Sequence, residues 1–386
     1  MNLVELELNQ FVKIGSLFHK SQHLTFTLDA AIAKNTPMRI WVDNKNDPKS
    51  CFMWDKTHCH YFVGQADDDD FNKKICKLFD QTVIPQAILN KSDLYKVEYS
   101  SKEWEPFLEE LLKIYLPVKK SRVFLALEEY SSKNMTKSLL KAFEIRKIDQ
   151  KLLESEIANI RSIVDEINEC WDSIESFLQI GFGFCLIVHL DNDKKEIQGW
   201  CTGEYFSSKK CGIGIETFSG YRKKGYATAM VSAFVEHCLK ANIKPYWDSY
   251  ANNYASIRIA EKIGFRKIED YHVYFGSFIN SELYQGYHYF SEKKYEIAAK
   301  WFEKAAELEQ RKTESLYNAA CSWSLGGESE KAFLQLNETI DALNSSTIKF
   351  ISYIRNDQYL EALHSSNSWK KILMRLNAIE SRIKQN

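Results

Sequence analysis

Glycine and proline almost vanish from this chain after about Ser281, and from there to the C-terminus the apolar residues follow a helical period. Upstream, short β-prone runs alternate with helical ones and are punctuated by turn residues. One architecture cannot accommodate both patterns. At 386 residues the chain is also too long for a single ordinary core, so about two or three domains are expected.

Composition narrows the function classes. Apolar residues make up 45% and charged residues 27%, as in a folded globular protein. Lysine and arginine number 51 against 52 aspartates and glutamates, a net charge of −1, so the chain lacks the positive field that nonspecific nucleic-acid binding needs. Nucleic acid is not an expected partner. The longest apolar stretches, such as Phe182 to Leu190, fall far short of the roughly 20 residues of a membrane-spanning helix, and no membrane partner is expected. Met1 to Leu17 lacks the cationic start and apolar block of a secretory signal, which predicts a cytoplasmic location. Nine cysteines, scattered from Cys51 to Cys321 without a C-x-x-C pair, fit reduced thiols. In a strand, His58, Cys59 and His60 would alternate between faces, and no second cluster completes a ligand set, so no metal is expected.

Three regions are expected. Residues 1–137 form a mixed α/β unit: Arg39–Val42 and Ser50–Trp54 make a hairpin across the turn-rich Asp43–Lys49, His60–Val63 adds a strand, and the Asp67–Asp70 run caps a helix over Phe71–Phe79. Trp104–Tyr115 reads as a helix ended by Pro117, and Val123–Leu127 as a strand. Residues 138–279 read as α+β. A helix over Glu154–Cys170 leads to an antiparallel meander of Phe182–Leu190, Ile197–Tyr205 and Cys211–Thr217, joined by turns at Asp191–Asp193 and Ser207–Lys210. A helix over Tyr226–Ala241, a strand at Pro245–Tyr250, a helix over Tyr254–Ile263 closed by Gly264 and a final β stretch follow. Residues 280–386 are all-α helical hairpins: Tyr295, Ala298, Phe302 and Ala306 recur 34 positions later as Ser329, Ala332, Leu336 and Ile340. This region resembles tetratricopeptide repeats, which leaves a protein partner or self-association open.

One stretch carries chemistry. Ile215–Thr228 reads as strand, loop and helix start, with Arg222, Lys223 and Lys224 before Gly225, Tyr226, Ala227 and Thr228. Unpaired amides at a helix start bind anions, and the small Gly225 and Ala227 let a pyrophosphate approach the backbone. Neither Gly-Lys-Ser/Thr nor G-x-G-x-x-G is present, so this is not a Walker or dinucleotide loop. Some 25 residues on come Asn253, Ser256, Ala260-Glu-Lys262 and Gly264-Phe265.

Together the two motifs resemble the GNAT family of acetyl-CoA-dependent N-acetyltransferases. Ile213–Thr217, Pro245–Asp248, Val42-Asp43, Asp47-Pro48 and Tyr61–Gly64 resemble the zwittermicin A resistance type within it, over about residues 25 to 278. The resemblance implies a GNAT-type mixed sheet with flanking helices, preceded by a companion lobe that is itself a degenerate GNAT-like fold, with a substrate cleft between the two. It implies that Arg222 to Ala227 hold pyrophosphate, that Ile215 and Thr217 on a strand splayed after Ile215 and Thr228 at the helix start line the cofactor path, and that Asn253 and Ser256 reach its far arm.

It further implies direct attack of a small-molecule amine on acetyl-CoA in a ternary complex. The candidate bases are Glu216, Asp248 and Glu204, each near the end of an expected strand. Where this type commonly carries a helper carboxylate the chain has Gly212, and the usual tyrosine acid falls at Ala260, which leaves Tyr271 or Tyr274 for that role. An acyl-CoA-binding module without turnover, or a protein acetyltransferase guided by its repeats, are the alternatives.

Overall fold

The computed structural model describes residues 3–18, 21–90, 93–130, 143–190, 194–207, 209–308 and 311–385. The expected boundary at 137/138, the Asp191–Asp193 turn and Ser208 lie outside these residues. The chain divides into two compact units, one of residues 1–90, 96–108 and 119–274, the other of residues 91–95, 109–118 and 275–386.

In its first part the chain forms β1 (Val4–Glu5), a 3-10 helix over Leu8–Phe18, α1 (Gln22–Ile32), β2 (Arg39–Val42), β3 (Ser50–Trp54), β4 (Cys59–Gly64), α2 (Asp69–Leu78), α3 (Ile84–Leu89), β5 (Leu94–Tyr99), α4 (Glu105–Leu112) and β6 (Val118–Leu127). Then come β7 (Phe143–Lys147), α5 (Gln150–Leu153), α6 (Ile160–Cys170), α7 (Ile174–Ile180), β8 (Gly183–His189), β9 (Lys195–Glu204), β10 (Lys210–Thr217), α8 (Tyr226–Lys240), β11 (Lys244–Tyr250), α9 (Tyr254–Ile263) and β12 (Phe265–Ser277). The twelve strands join one mixed sheet in the order β1-β2-β3-β4-β5-β12-β6-β11-β10-β9-β8-β7.

The local chemistry of these elements is mostly as the residues dictate. Asp68 caps α2, its carboxylate accepting the amides of Asp70 and Phe71 (3.0 Å each). Gly264 closes α9 at φ +115°, where a β-carbon would lie 1.7 Å from the Glu129 carbonyl oxygen. The meander β8-β9-β10 is antiparallel throughout.

Two readings need correction. The helix expected from Glu154 starts only at Ile160, because Asn159 takes a left-handed conformation (φ 67°) and its Nδ2 bonds the Ile197 carbonyl (3.0 Å), fixing the chain to β9. The N-terminal 3-10 helix and α1 have no counterpart in the sequence reading, although Leu24, Leu28 and Ala31 of α1 pack with Ile40, Met53 and Tyr61 in one core.

The second unit carries α10 (Ser281–Ser291), α11 (Tyr295–Ala306), α12 (Lys312–Leu325), α13 (Ser329–Asp341), α14 (Phe350–Asn356) and α15 (Asn367–Gln385). Small residues set the approach of these helices. Ala298, Ala299, Ala319, Ala320 and Ala332 are fully buried, and Gly286 admits the Phe302 ring, which would lie 2.4 Å from a β-carbon there. Among the described residues no helix is long and apolar enough to cross a membrane.

Candidate active site

Two parallel strands that part company define the site. β10 and β11 pair only from Lys210↔Lys244 to Gly212↔Tyr246. Beyond that point β10 stays on β9 as far as Thr217↔Gly199, while β11 stays on β6 as far as Tyr250↔Arg122. The β11-facing edge of Ile213–Thr217 is thereby opened, three residues earlier than the splay expected after Ile215. Such an edge receives an extended, amide-bearing ligand as if it were another strand.

β10 then feeds the anion loop. Ser219–Tyr221 form a single 3-10 turn, Lys223 and Gly225 take positive φ (62° and 85°), and α8 begins at Tyr226. The first intrahelical bond runs from Ala229 N to Gly225 O (3.1 Å), so the helix itself offers no acceptor to the amides of Tyr226, Ala227 and Thr228. The Arg222 side chain braces the loop, its Nε donating to the Thr217 carbonyl (2.7 Å), and the Arg222 amide turns to Ser219 O (3.4 Å). At the strand end the buried Thr217 hydroxyl has no hydrogen-bond partner among the described residues.

A cavity of about 730 Å³ opens beside the splay, lined by Gly212–Ile215 of β10, Tyr246–Tyr250 of β11, the C-terminal end of α6, and His23, Asp55 and Glu98 from the N-terminal half. Its chemistry centres on two carboxylates. Glu204, the last residue of β9, extends over Gly214, where a β-carbon would lie 2.0 Å from Glu204 Oε1 and 3.1 Å from Glu166 Oε1. Burial first, and then the charge of Glu166, push the Glu204 carboxyl up to about 8. Glu166 is raised as well, mainly by burial and with further repulsion from Glu169 and Glu216. The two carboxylates therefore hold a proton between them near neutrality.

A second charged group is already satisfied. Arg122 of β6 holds Asp248 through two contacts (Nε–Oδ1 3.1 Å, NH2–Oδ2 3.0 Å), and the Tyr271 hydroxyl donates to Asp248 Oδ2 (2.8 Å). Tyr271 is held well above the usual phenol range by burial and by Asp248, so it is a poor proton donor.

A family model described as GNAT acetyltransferase matches residues 16–274. The chain belongs to the GNAT acetyltransferase family. It is 24% identical over 275 residues to the uncharacterized N-acetyltransferase YdfB of Bacillus subtilis (strain 168), covering 71% of this chain and 98% of that protein. Among solved structures, a GCN5-related N-acetyltransferase-like protein from Streptococcus suis 89/1591 superposes with a TM-score of 0.50 at 19% identity, over 69% of this chain and 98% of the other, a likeness of fold. The chain is thus a GNAT N-acetyltransferase, and acetyl-CoA is the acetyl donor of that family.

Within this GNAT fold the residues singled out from sequence fall into distinct places. Ile215, Glu204, Asp248, Asn253 and Ser256 line the cavity, while Thr217 and Arg222 to Thr228 form the strand end and loop beyond it. Asn253 caps α9 by accepting the Ser256 amide (3.2 Å), and the Ser256 oxygen accepts the Trp247 indole (3.0 Å), which leaves Asn253 Nδ2 and the Ser256 proton as donors. Glu216 is exposed and outside the cavity lining. Tyr274 is also outside it: along β12 its side chain alternates with that of Tyr271, and its ring stacks on Tyr99 (5.8 Å). His58 and Cys59 approach Asp55 rather than His60, whose ring stacks on Trp54 (6.2 Å).

Glu166, Arg122, Gly214 and His23 are site residues that the sequence reading does not single out. For Gly214 a signal exists: Gly212 and Gly214 at alternate positions of a strand mark a face approached closely by another group. Glu166 has none, because only the docking of α6 on the sheet brings it to Glu204.

Proposed function

We propose that the chain acetylates a primary amine of a small molecule by direct attack in a ternary complex, with Glu204 and Glu166 together as the general base. The observation that carries this reading is the pair of cavity carboxylates, Glu204 and Glu166, gathered over Gly214 beside the β10–β11 splay, on the strand that runs into the anion loop. Bound acetyl-CoA supplies an acetyl group activated as a thioester. The amides of α8 and the cationic Lys223 and Lys224 hold its pyrophosphate, the open edge of Ile213–Thr217 with the Thr217 hydroxyl holds its amide arm, and Asn253 and Ser256 line the far side. An amine enters as ammonium, and Glu204 takes its proton so that the nitrogen lone pair can form the C–N bond as the C–S bond breaks. The departing sulfur would take up the proton that Glu204 has received, and the acylated nitrogen would release its remaining extra proton to solvent. Asp248 serves to fix Arg122 and Tyr271 rather than as the base.

The same reading makes residues 1–137 a companion lobe, residues 138–279 the catalytic domain and residues 280–386 a tetratricopeptide-like region open to a protein partner or self-association. The N-terminal motifs support the zwittermicin A resistance type and an amine antibiotic as acceptor. Nine free cysteines, including Cys211 and Cys238 with their sulfurs 3.8 Å apart and unbonded, support a reducing cytoplasmic setting.

A binding module without turnover is the second reading, favoured by the engagement of Asp248 and Tyr271 with each other. Thiol release from acetyl-CoA across an amine panel separates the two: turnover that Glu204→Gln lowers by about a hundredfold supports the transferase, and acetyl-CoA binding without thiol release supports the module.

A further inference from the structure

The cavity of the proposed transfer site holds more negative charge than its own cations answer. Glu98 is paired with Lys96 (2.7 Å) and Asp248 with Arg122 (3.0 Å). The other carboxylates of the lining, Asp55, Glu166, Glu169, Asp172 and Glu204, have no ion-pair partner among the described residues; the proton held by Glu166 and Glu204 offsets one charge, and the one cation left beside them is Lys56. Asp55 is buried, and its Oδ1 is bonded only by the turn amides of Thr57 (2.8 Å) and Cys59 (3.0 Å).

These carboxylates form a row rather than a single cluster. Glu166 and Glu169 stand three residues apart on α6, on one helix face and about 5–6 Å from each other. Glu169 and Asp55, from the β3–β4 turn, both bear on the His58 imidazole. That ring is exposed at the turn yet stays below its ordinary pKa, because partial loss of hydration disfavours the charged form more than these carboxylates favour it. His58 is therefore neutral near pH 7 and does not balance them. A second, independent feature points to a ligand: Thr36 is 8% exposed, lines the same cavity, and its hydroxyl has no partner among the described residues.

We infer that the acceptor carries two cationic centres, the amine that is acetylated at Glu204 and Glu166, and a second ammonium held by Glu169 and Asp55 further along the same cavity lining. This rests on the transferase reading above and names its substrate class: a diamine, or an amine bearing a second cation a few bonds along the chain. A neutral hydroxyl at the second position would leave the buried Asp55 facing the ligand without a counter-charge.

The test is calorimetric titration of the full chain, saturated with coenzyme A, with 1,4-diaminobutane and with 4-aminobutan-1-ol, which differ only in the second cation. The diamine is expected to bind at least about tenfold more tightly. In Glu169→Gln, and again in the double variant Glu169→Gln, Asp55→Asn, whose melting curves verify the fold, that ratio should fall toward unity. Equal affinities for the two compounds, no measurable affinity for the diamine, or a ratio that the double variant leaves intact would overturn the inference. Thiol release from acetyl-CoA is followed alongside. Turnover with equal affinities would remove the dication requirement and leave acetyl transfer standing, whereas absence of coenzyme A binding would remove both.

Discussion

The carboxylate of Glu204 occupies the space above Gly214, with its Oε1 2.0 Å from where a β-carbon on that glycine would sit. A methyl group there must displace the acid without touching the anion loop. Gly214→Ala is therefore expected to lower kcat by about tenfold or more while acetyl-CoA affinity stays within about a factor of three. Steady-state kinetics beside a binding titration checks this. An unchanged kcat would separate Glu204 from the chemistry.

The carboxylate pair sets the pH dependence. Glu204 is raised to about 8, so the basic form that accepts the ammonium proton grows as pH rises through that value, and kcat/KM should climb with it. Glu166→Gln removes the like charge and should move the rise to lower pH. Stability runs the opposite way. Between the ordinary glutamate value of 4.5 and about 8 the folded chain keeps a proton that the unfolded chain has released, so stability falls as pH rises across that window. In Glu204→Gln the fall should be smaller, as read by melting temperature against pH.

Asp248 is a stability residue before it is a chemical one. Arg122 is largely buried and leans on Asp248 through both nitrogen contacts, so Asp248→Ala leaves an unanswered buried guanidinium and should cost about 3 kcal/mol. Tyr271→Phe removes one hydrogen bond to the same carboxylate and should cost about 1 kcal/mol. Chemical denaturation measures both. An Asp248→Ala chain of native stability that had lost turnover would return the base to Asp248.

Gly264 tests the fold independently of the chemistry. With φ at +115° and the Glu129 carbonyl oxygen 1.7 Å from where a β-carbon would sit, Gly264→Ala should destabilise by about 1–3 kcal/mol. A melting temperature equal to that of the parent protein would show that the chain relaxes around the added methyl.

Much of this architecture is legible in the residues, and the exceptions have physical causes. The strand–loop–helix at Ile215–Thr228 and the Gly264 stop are written in local spacing, since backbone amides and positive φ depend on a few neighbouring residues. The N-terminal 3-10 helix and α1 escape such a reading because their apolar residues acquire meaning only against Ile40 and Met53 of the sheet. Tyr271 and Tyr274 lie equally open in sequence as acid candidates. Strand parity and the partners Asp248 and Tyr99 distinguish them, and both facts come from pairing rather than from the string of residues. The Glu204–Glu166 pair joins a strand end to a helix end 38 positions apart, and no local pattern announces it.

The loop after β10 is proposed to hold the pyrophosphate of acetyl-CoA at the start of α8, and calorimetric titration with acetyl-CoA reads that contact. The parent chain should bind in the micromolar range. Gly225→Glu, which sets a carboxylate at the helix start and a side chain at φ 85°, should weaken binding by about a hundredfold or more. Equal affinity in both, with the variant still folded, would contradict the account.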